Sequence, residues 1–538
     1  MKAKIIPTLL VLAAAVSGFA QRGFPKEYVS DEVLVKFRPG MEASADIANA
    51  LLGVTQIGEI PQIGWKHYRL PEGVSVVKAV KYYRGLACVE QAEPNGIVHA
   101  AFTPNDTNWG SQYGPVQVKC PTAWDIQQGS TGVTIAIIDT GIQLNHPDLD
   151  AKITNAGRDF ANNDMNASDD NGHGTHCAGI SAAETNNAQG VAGVSFNCRL
   201  YPVKVLNSGG SGTWANVASG ITWAADQYST FNVRVLSLSL GGTNDGGVTQ
   251  SAVDYAWNKG CVVVCAAGNN ASSSPFYPAW YANAIAVAAT NSSDVRDTSY
   301  SNFGSWVDIA APGTNVFSTY LGSTYTSLTG TSMACPHVAG AAALVFSHYG
   351  ANSTPAFVRK RLERTADKWG TYGITGGRLN VHRAIAEIWP TTETIVFGTG
   401  LSGNLDSLIN ADDDRRVYRN GATFLITQSP ITVQYSGNCS FTGVTKFEVN
   451  FEGHASTPGL TQRVDVFNTS TGTYQNVDTR TATTTDSAFT YTQTTNISNY
   501  IHPTTGLVRW QYRLKDDTPA VVAVWEGRVD RCDILPYK

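Results

Sequence analysis

Charge is scarce in this chain: 15% of its 538 residues are Asp, Glu, Lys or Arg, and no block of Lys or Arg runs along it. With a net charge of −5 and no basic stretch to follow a phosphate backbone, no nucleic-acid partner is expected. Cysteine is sparse too, and nine residues over this length exclude a small scaffold stapled by disulfides. Beyond the first twenty residues no apolar run approaches the roughly 20 residues of a membrane span, so no membrane partner is expected either. His-Glu-x-x-His is absent, and Asp-Thr-Gly occurs once, whereas chemistry by paired aspartates needs two facing carboxylates. A homodimer supplies the second, yet leaves the serine segment described below without a role. What is abundant is apolar: 42% of residues are hydrophobic, enough for one large core and at least one smaller module.

The chain opens with Lys2 and Lys4, an apolar run from Ile5 to Val16 broken by Pro7, and the small-residue end Ser17-Gly18-Phe19-Ala20. This is the pattern of a secretory signal peptide over 1–20, with cleavage expected after Ala20 and a secreted, extracellular product. Residues 21–102 alternate short patterns. Asp31 to Phe37 and Gly64 to Leu70 read as strands, Glu42 to Leu52 and Ser75 to Tyr83 as helices, and Gly85 to Glu90 and Ile97 to Ala100 as extended segments. A small α+β module is expected there.

From 103 to 390 continuous apolar runs (Val133 to Ile138, Leu200 to Leu206, Val233 to Leu240, Val262 to Ala267, Ala284 to Ala288) alternate with helical stretches such as Trp214 to Ala225 and Thr249 to Trp257. That alternation predicts an α/β fold, a doubly wound parallel sheet covered on both faces, with polar groups gathered at the carboxyl ends of its strands. Past the expected linker Pro390-Thr391-Thr392, residues 391–538 are rich in Thr, Ser, Asn, Val and Tyr. Alternating runs at Arg463 to Phe467, Leu507 to Arg513 and Ala520 to Trp525 predict an all-β, sandwich-like domain. Cys439 and Cys532 are the only cysteines in it, and they are the expected disulfide; two buried thiols are the alternative. Cys261 and Cys265 are not a pair if the segment between them is a strand, which spans about 13 Å.

Three polar signatures stand out in order: Asp139-Thr140-Gly141, His173-Gly174-Thr175-His176, and Gly330-Thr331-Ser332-Met333-Ala334-Cys335-Pro336-His337 opening an Ala/Gly/Val-rich helix. A serine hydroxyl is a poor nucleophile until a base takes its proton, and imidazole, with an ordinary pKa near 6.5, suits that task near neutrality. A carboxylate on the other ring nitrogen fixes the tautomer and stabilises the imidazolium. Ser332, His173 and Asp139 therefore form a nucleophile, a base and an orienting group.

With Ala136-Ile137-Ile138-Asp139-Thr140-Gly141-Ile142, Asn171-Gly172-His173-Gly174-Thr175-His176-Cys177-Ala178-Gly179, Ala266-Ala267-Gly268-Asn269 and the Ser332 segment, the chain resembles the subtilisin-like serine proteases. Within that family it looks most like the thermitase and proteinase K branch, over residues 105 to 388. The order Asp, His, Ser is itself that of subtilisin. The resemblance implies a serine endopeptidase acting through an acyl-enzyme on protein or peptide substrates. Asn269 becomes the side-chain donor of an oxyanion hole, with the Ser332 N–H as its partner. An extended substrate is expected between Ser239-Leu240-Gly241 on one edge and Gly210-Ser211-Gly212 on the other.

Phe276 stands where relatives often carry Gly or a polar residue at the base of the primary pocket. Its ring either shortens that pocket and favours smaller side chains or turns away into the core. Cys177 resembles a free thiol beneath the base, and Cys335 is either a second one or ordinary helix packing. His176 is implied to be a structural neighbour rather than a zinc ligand.

Calcium is the implied cofactor. Asp106, Asp148 and the loop Glu184 to Val191 look like the family's strong site, with Asn187 and carbonyls of Glu184, Gln189 and Val191 completing an oxygen shell. Asp159, Asn162, Asp164 and Asn166 resemble a second site, or else form a self-contained Asx-rich loop. The 21–102 module resembles an inhibitor-like propeptide whose end, Glu93 to Val98, threads the cleft. It is expected to act as intramolecular inhibitor and folding aid before removal near 100–105. The mature enzyme is expected to be a monomer, and the 391–538 domain either binds surfaces or carbohydrate or stabilises the rest.

Overall fold

The computed structural model describes residues 28–96, 102–350, 353–367, 373–390, 392–397, 399–402, 416–419, 431–441, 444–456, 460–485, 487–494, 497–502, 505–515 and 526–537. The leader expected at 1–20, the extended run at 97–100, Thr391 of the linker and the strand expected at Ala520 to Trp525 lie outside them. Residues 1–98 and 99–538 form two compact units.

In the first unit four antiparallel strands stand in the order Thr55–Ile60, Trp65–Arg69, Tyr28–Phe37, Val89–Gly96, accompanied by the helices Glu42–Leu52 and Val76–Arg84. Val33 and Val35 point inward at strand period, and Val76, Ala79, Val80 and Tyr83 do so at helical period, around Tyr68 and Leu70. Thr55–Ile60 carries no apolar alternation and is exposed at almost every position, so no period in the residues marks it as a strand. Glu93 to Gly96, expected within an extended end, are extended and pair in the sheet, with Glu93 opposite Leu34 and Pro94 opposite Val33. Pro94 is tolerated because this strand is an edge.

The second unit is built on a seven-stranded parallel sheet ordered Ile309–Pro312, Ala284–Thr290, Val262–Ala266, Val233–Leu238, Thr134–Asp139, Arg199–Lys204, Arg158–Asp159. Its central strands are apolar on both faces because they feed two cores. Ile135, Ile137, Val262 and Val264 enter one, and Ala136, Ile138, Val263 and Cys265 enter the other. The first core is filled by the nearly all-buried helix Thr331–Tyr349, the second by Trp214–Asp226 and Val248–Asn258. Strand order reverses around Thr134–Asp139, which has Arg199–Lys204 on one side and Val233–Leu238 on the other. A cleft at the carboxyl ends is expected at such a reversal.

Two antiparallel five-stranded sheets follow, one containing Ile431–Asn438, Leu507–Lys515 and Thr461–Asn468, the other Lys446–Ala455 and Glu526–Tyr537. Their inward residues share one core, in which Phe451 of one sheet stacks on Tyr512 of the other at 5.1 Å. This all-β region is fastened to the parallel-sheet layer. Ile388 N–H donates to the Ile534 carbonyl at 2.6 Å, and Leu535 lies in the first core of that layer. The Cys439–Cys532 disulfide is not made: Cys439 is a free, buried thiol, 3.2 Å from the Phe441 carbonyl. Cys439 follows the last residue of a strand of one sheet, while Cys532 pairs with Phe451 in the other; the Cys532 side chain lies outside the described residues. Cys261 and Cys265 are likewise free and buried.

Candidate active site

Asp139 ends the strand Thr134–Asp139 and His173 begins the helix His173–Ala182. Nδ1 of His173 lies 2.7 Å from Oδ1 of Asp139, whose side chain is buried while the imidazole is 27% exposed. The Thr140 N–H donates to the same oxygen at 2.7 Å, and Oδ2 has no partner among the described residues. The helix runs so close beneath the strand end that a β-carbon on Gly174 would fall 2.1 Å from the Gly141 carbonyl oxygen. Only glycine fits there.

Sequence reasoning missed the residues that hold this junction. Asp169 is buried, and its Oδ1 accepts from the Thr140 hydroxyl at 2.8 Å and from the Asn171 and Gly172 N–H groups at 3.0 Å. Its Oδ2 accepts from the N–H and hydroxyl of Thr175 at 2.9 and 2.6 Å. One carboxylate thus caps the His173 helix and fixes the loop after Asp139; an Asp two residues ahead of Asn171-Gly172 is the capping signal that could have revealed it. Buried Lys204 ties the same loop, donating to the Thr140 and Leu206 carbonyls at 2.9 and 2.8 Å and pairing with Asp170 at 2.6 Å.

Burial pushes the His173 imidazole down, but the Asp139 carboxylate beside it and Asp169 beyond outweigh that and hold its pKa above the ordinary 6.5. His176, buried with Nε2 3.1 Å from the Thr326 carbonyl, is pushed down to about 4 by burial and is a neutral structural group.

Ser332 is the second residue of the helix Thr331–Tyr349, so its N–H is among those an α-helix leaves without an intrahelical carbonyl. Its Oγ donates to the Ser239 carbonyl at 3.1 Å. Its own carbonyl accepts from the Ser239 hydroxyl at 2.7 Å and the Cys177 thiol at 3.4 Å, which couples the Ser332 backbone to the His173 helix. Asn269 turns Oδ1 to the N–H and hydroxyl of Thr331 at 2.8 and 2.9 Å, so its amide N–H groups are what it offers the cavity. Asn302, also missed, secures the Asn269 loop by donating to the Ala267 carbonyl at 2.8 Å and accepting from the Asn270 and Ser272 N–H groups at 3.0 and 3.1 Å.

One cavity of about 660 Å³ brings together His173, Ser332, Asn269 and both expected edges, Gly210-Ser211-Gly212 and Ser239-Leu240-Gly241. Trp214, Leu206 and Val217 also line it and were not anticipated. Phe276 faces this cavity. Its ring packs against Gly241 and Gly268 so closely that a β-carbon on either would come within 2.4 and 2.8 Å of a ring carbon. Cys335 is buried, with its thiol 3.3 Å from the Val264 carbonyl.

Asp106 and Asp148 are both buried beside the loop 184–191. Asp106 Oδ2 accepts from the Asn186 N–H at 2.8 Å, while Oδ1 has no partner among the described residues. Asp148 accepts from the Asn187 amide at 3.0 Å and the Val191 N–H at 2.9 Å. Burial raises both carboxyls, and the neighbouring charges of Asp106 and Glu184 help to push Asp148 up to about 7. Glu184 accepts from the Ala151 N–H at 3.1 Å, and the Gln189 amide donates to the Pro147 carbonyl at 3.1 Å. The Asp159 loop, by contrast, satisfies itself. Asn162 donates its N–H and its amide to the two Asp159 oxygens, each at 2.8 Å, and Asp164 accepts from the Asn166 N–H at 2.8 Å.

Comparison with known proteins agrees with this architecture. A model described as the subtilase family matches residues 130–386, and one described as the Fervidolysin N-terminal prodomain matches residues 15–95. Thermitase from Thermoactinomyces vulgaris is 53% identical over 288 residues, covering 53% of this chain and 99% of that protein. The thermophilic serine proteinase of Bacillus sp. (strain AK1) is 46% identical over 364 residues, 66% of this chain and 88% of its own length. Halolysin from Haloferax mediterranei is 43% identical over 304 residues, 55% of this chain and 57% of that protein. Fold and matches together define a serine endopeptidase, a hydrolase of proteins. The chain belongs to the subtilase family.

Proposed function

We propose that the protein is a secreted, calcium-stabilised endopeptidase that cuts extended segments of proteins through Asp139, His173 and Ser332. The observation that carries this reading is the 2.7 Å His173–Asp139 contact in a cleft that also receives a serine from a helix amino terminus. Rotation about χ1 carries the Ser332 hydroxyl from the Ser239 carbonyl to His173. Nε2 of His173 takes its proton as Oγ attacks the scissile carbonyl, and Asp139 stabilises the imidazolium. The developing oxyanion receives the Asn269 amide and the Ser332 N–H. His173 then protonates the leaving amine, and water, activated by the same imidazole, releases the acyl group.

Substrate backbone pairs with Gly210-Ser211-Gly212 and Ser239-Leu240-Gly241, and Phe276 closes the pocket to large side chains. The fit for calcium rests on Asp106 Oδ1, a buried oxygen without a partner among the described residues, and on an all-oxygen donor set. Asp106, Asp148, Asn187 and carbonyls of Glu184, Gln189 and Val191 would hold the ion, whose charge supplies the cation that two buried carboxylates lack. The self-satisfied Asp159 loop is left without one. The 21–102 segment assists folding, inhibits the cleft and is removed near 100–105.

A serine-directed phosphonylating reagent tests the core of this reading. It should label the wild-type enzyme once and leave Ser332→Ala unlabelled, with hydrolysis lower by about 10⁶, the loss known for subtilisin itself. Labelling that persists in the variant would assign the nucleophile elsewhere. Cleavage of a peptide library by the same preparation reads the Phe276 pocket, and a preference for large aromatic residues before the cut would contradict its closure.

A further inference from the structure

A second cavity, of about 410 Å³, opens where the parallel-sheet layer meets the carboxyl-terminal strands. Lys119, Thr122 and His382 line it from the first, and Glu448, Asn450 and Tyr537 from the second. The acidic groups in its wall are already matched. Glu448 takes the Lys446 ammonium at 3.1 Å and the Tyr537 hydroxyl at 2.9 Å. Asp367 takes the Asn380 amide at 3.1 and 3.0 Å and faces Arg378 at 3.1 Å and Arg383 at 3.5 Å.

Two other wall groups are not matched. His382 is 3% exposed, yet neither ring nitrogen makes a hydrogen bond of good geometry among the described residues; the Thr122 carbonyl beside it interacts with the ring without one. Tyr537 stacks on its face at 4.4 Å, so the ring is gripped by its plane and presents its edge, where the nitrogens are. Burial, with Lys446 and Arg383 nearby, holds this imidazole well below its usual range, at about 3. It is therefore neutral, with one N–H to give and one lone pair to receive. Lys119, at the exposed rim, has no carboxylate partner among the described residues. Buried polar groups in native proteins are paired, so an imidazole left this way points to something that fills the space.

We propose that this cavity binds the free carboxylate end of a short peptide or amino acid, held by the Lys119 ammonium and the His382 ring edge. The unmatched charge in the wall is positive, which selects an anion. The volume exceeds what an inorganic ion fills. A neutral sugar gains nothing from Lys119, and the one aromatic ring in the wall is covered by His382 and by the Lys446 ammonium, 3.3 Å from its centroid. Every peptide bond the enzyme cuts creates such a carboxylate; this source rests on the proteolytic reading above, whereas the binding does not. A ligand that binds only the folded chain adds to its stability, so thermal stability rises with product.

Calorimetry on purified enzyme with its cleft blocked by the phosphonylating reagent tests this, using N-acetyl-alanyl-leucine, its carboxamide and maltose as probes. Labelling is scored first, so a wrong Ser332 assignment appears as unlabelled protein, and the titration proceeds on either form. The free acid should bind at one site and raise the melting temperature. The carboxamide should bind roughly tenfold more weakly or worse, as should the acid to Lys119→Gln and to His382→Gln. Equal binding of acid and carboxamide, no binding of the acid at millimolar concentration, or binding of maltose instead would overturn the proposal. Should His382→Gln fail to fold, the rim variant Lys119→Gln decides alone, since undiminished binding there removes the proposed contact.

Discussion

Asp139, the last residue of its strand, and Asp148, in a turn further along the chain, are both fully buried carboxylates, and they differ in what stands in for water. Asp139 faces an imidazole, a group that becomes a cation when it takes up a proton. Asp148 faces neutral groups, the Asn187 amide, the Val191 N–H and the Tyr325 hydroxyl beside it, with Asp106 and Glu184 adding charge of its own sign. The first site carries its countercharge within the protein; the second, on the reading proposed above, recruits one. Burial of a carboxylate is thus compatible with two unrelated jobs, and the nature of the nearest donor separates them.

That contrast breaks if the two residues can be exchanged in their effects. Asp139→Asn should lower turnover by about 10⁴ near neutral pH with the melting temperature little changed, as kcat and calorimetry together will show. Asn269→Ala, which leaves both carboxylates alone, should reduce kcat by about 10² to 10³ while KM stays near its wild-type value. Chelation should lower the wild-type melting temperature, reflecting about 2.7 kcal/mol when calcium had been present at 100 times its dissociation constant. Asp148→Asn should shrink that response with little change in kcat, and a variant that melts like wild type with and without chelator would deny the site its metal.

The subtlest differences lie in pH dependence. Unfolded Asp titrates near 3.8, and folded, metal-free Asp148 near 7, so between those values the folded chain holds the extra proton. Stability from this group is full at the acid end and is lost as pH rises through 7; calcium should flatten that slope. At the catalytic site the base must be neutral to act, and its pKa is raised, so kcat/KM should climb through a value above 6.5. Asp139→Asn should move that limb toward acid, because the charge that raised it is gone.

Much of this arrangement was legible in the chain because its chemistry sits beside its geometry. Asp139 follows an apolar strand directly, His173 begins a helix, and Ser332 opens another, so strand and helix ends could be read together with the reactive groups. What escaped were residues whose role is assigned only by folding. Asn302 lies 33 residues beyond Asn269 and meets its loop through tertiary contact, and Lys204 is a lone lysine in an apolar run. The strands Arg158–Asp159 and Ile309–Pro312 are too short to show a period. The Cys439–Cys532 expectation failed because counting thiols in a domain says nothing of which sheet each one occupies.

The link from Asp106 to the 184–191 loop bears on lifetime as well as melting. Once that link loosens, the stretch around residue 102 becomes loose, accessible backbone, the form of polypeptide that an endopeptidase accepts. The nearest enzyme is another copy of the same molecule. Self-digestion then proceeds as a bimolecular reaction, and a metal-depleted preparation survives longer when dilute than when concentrated.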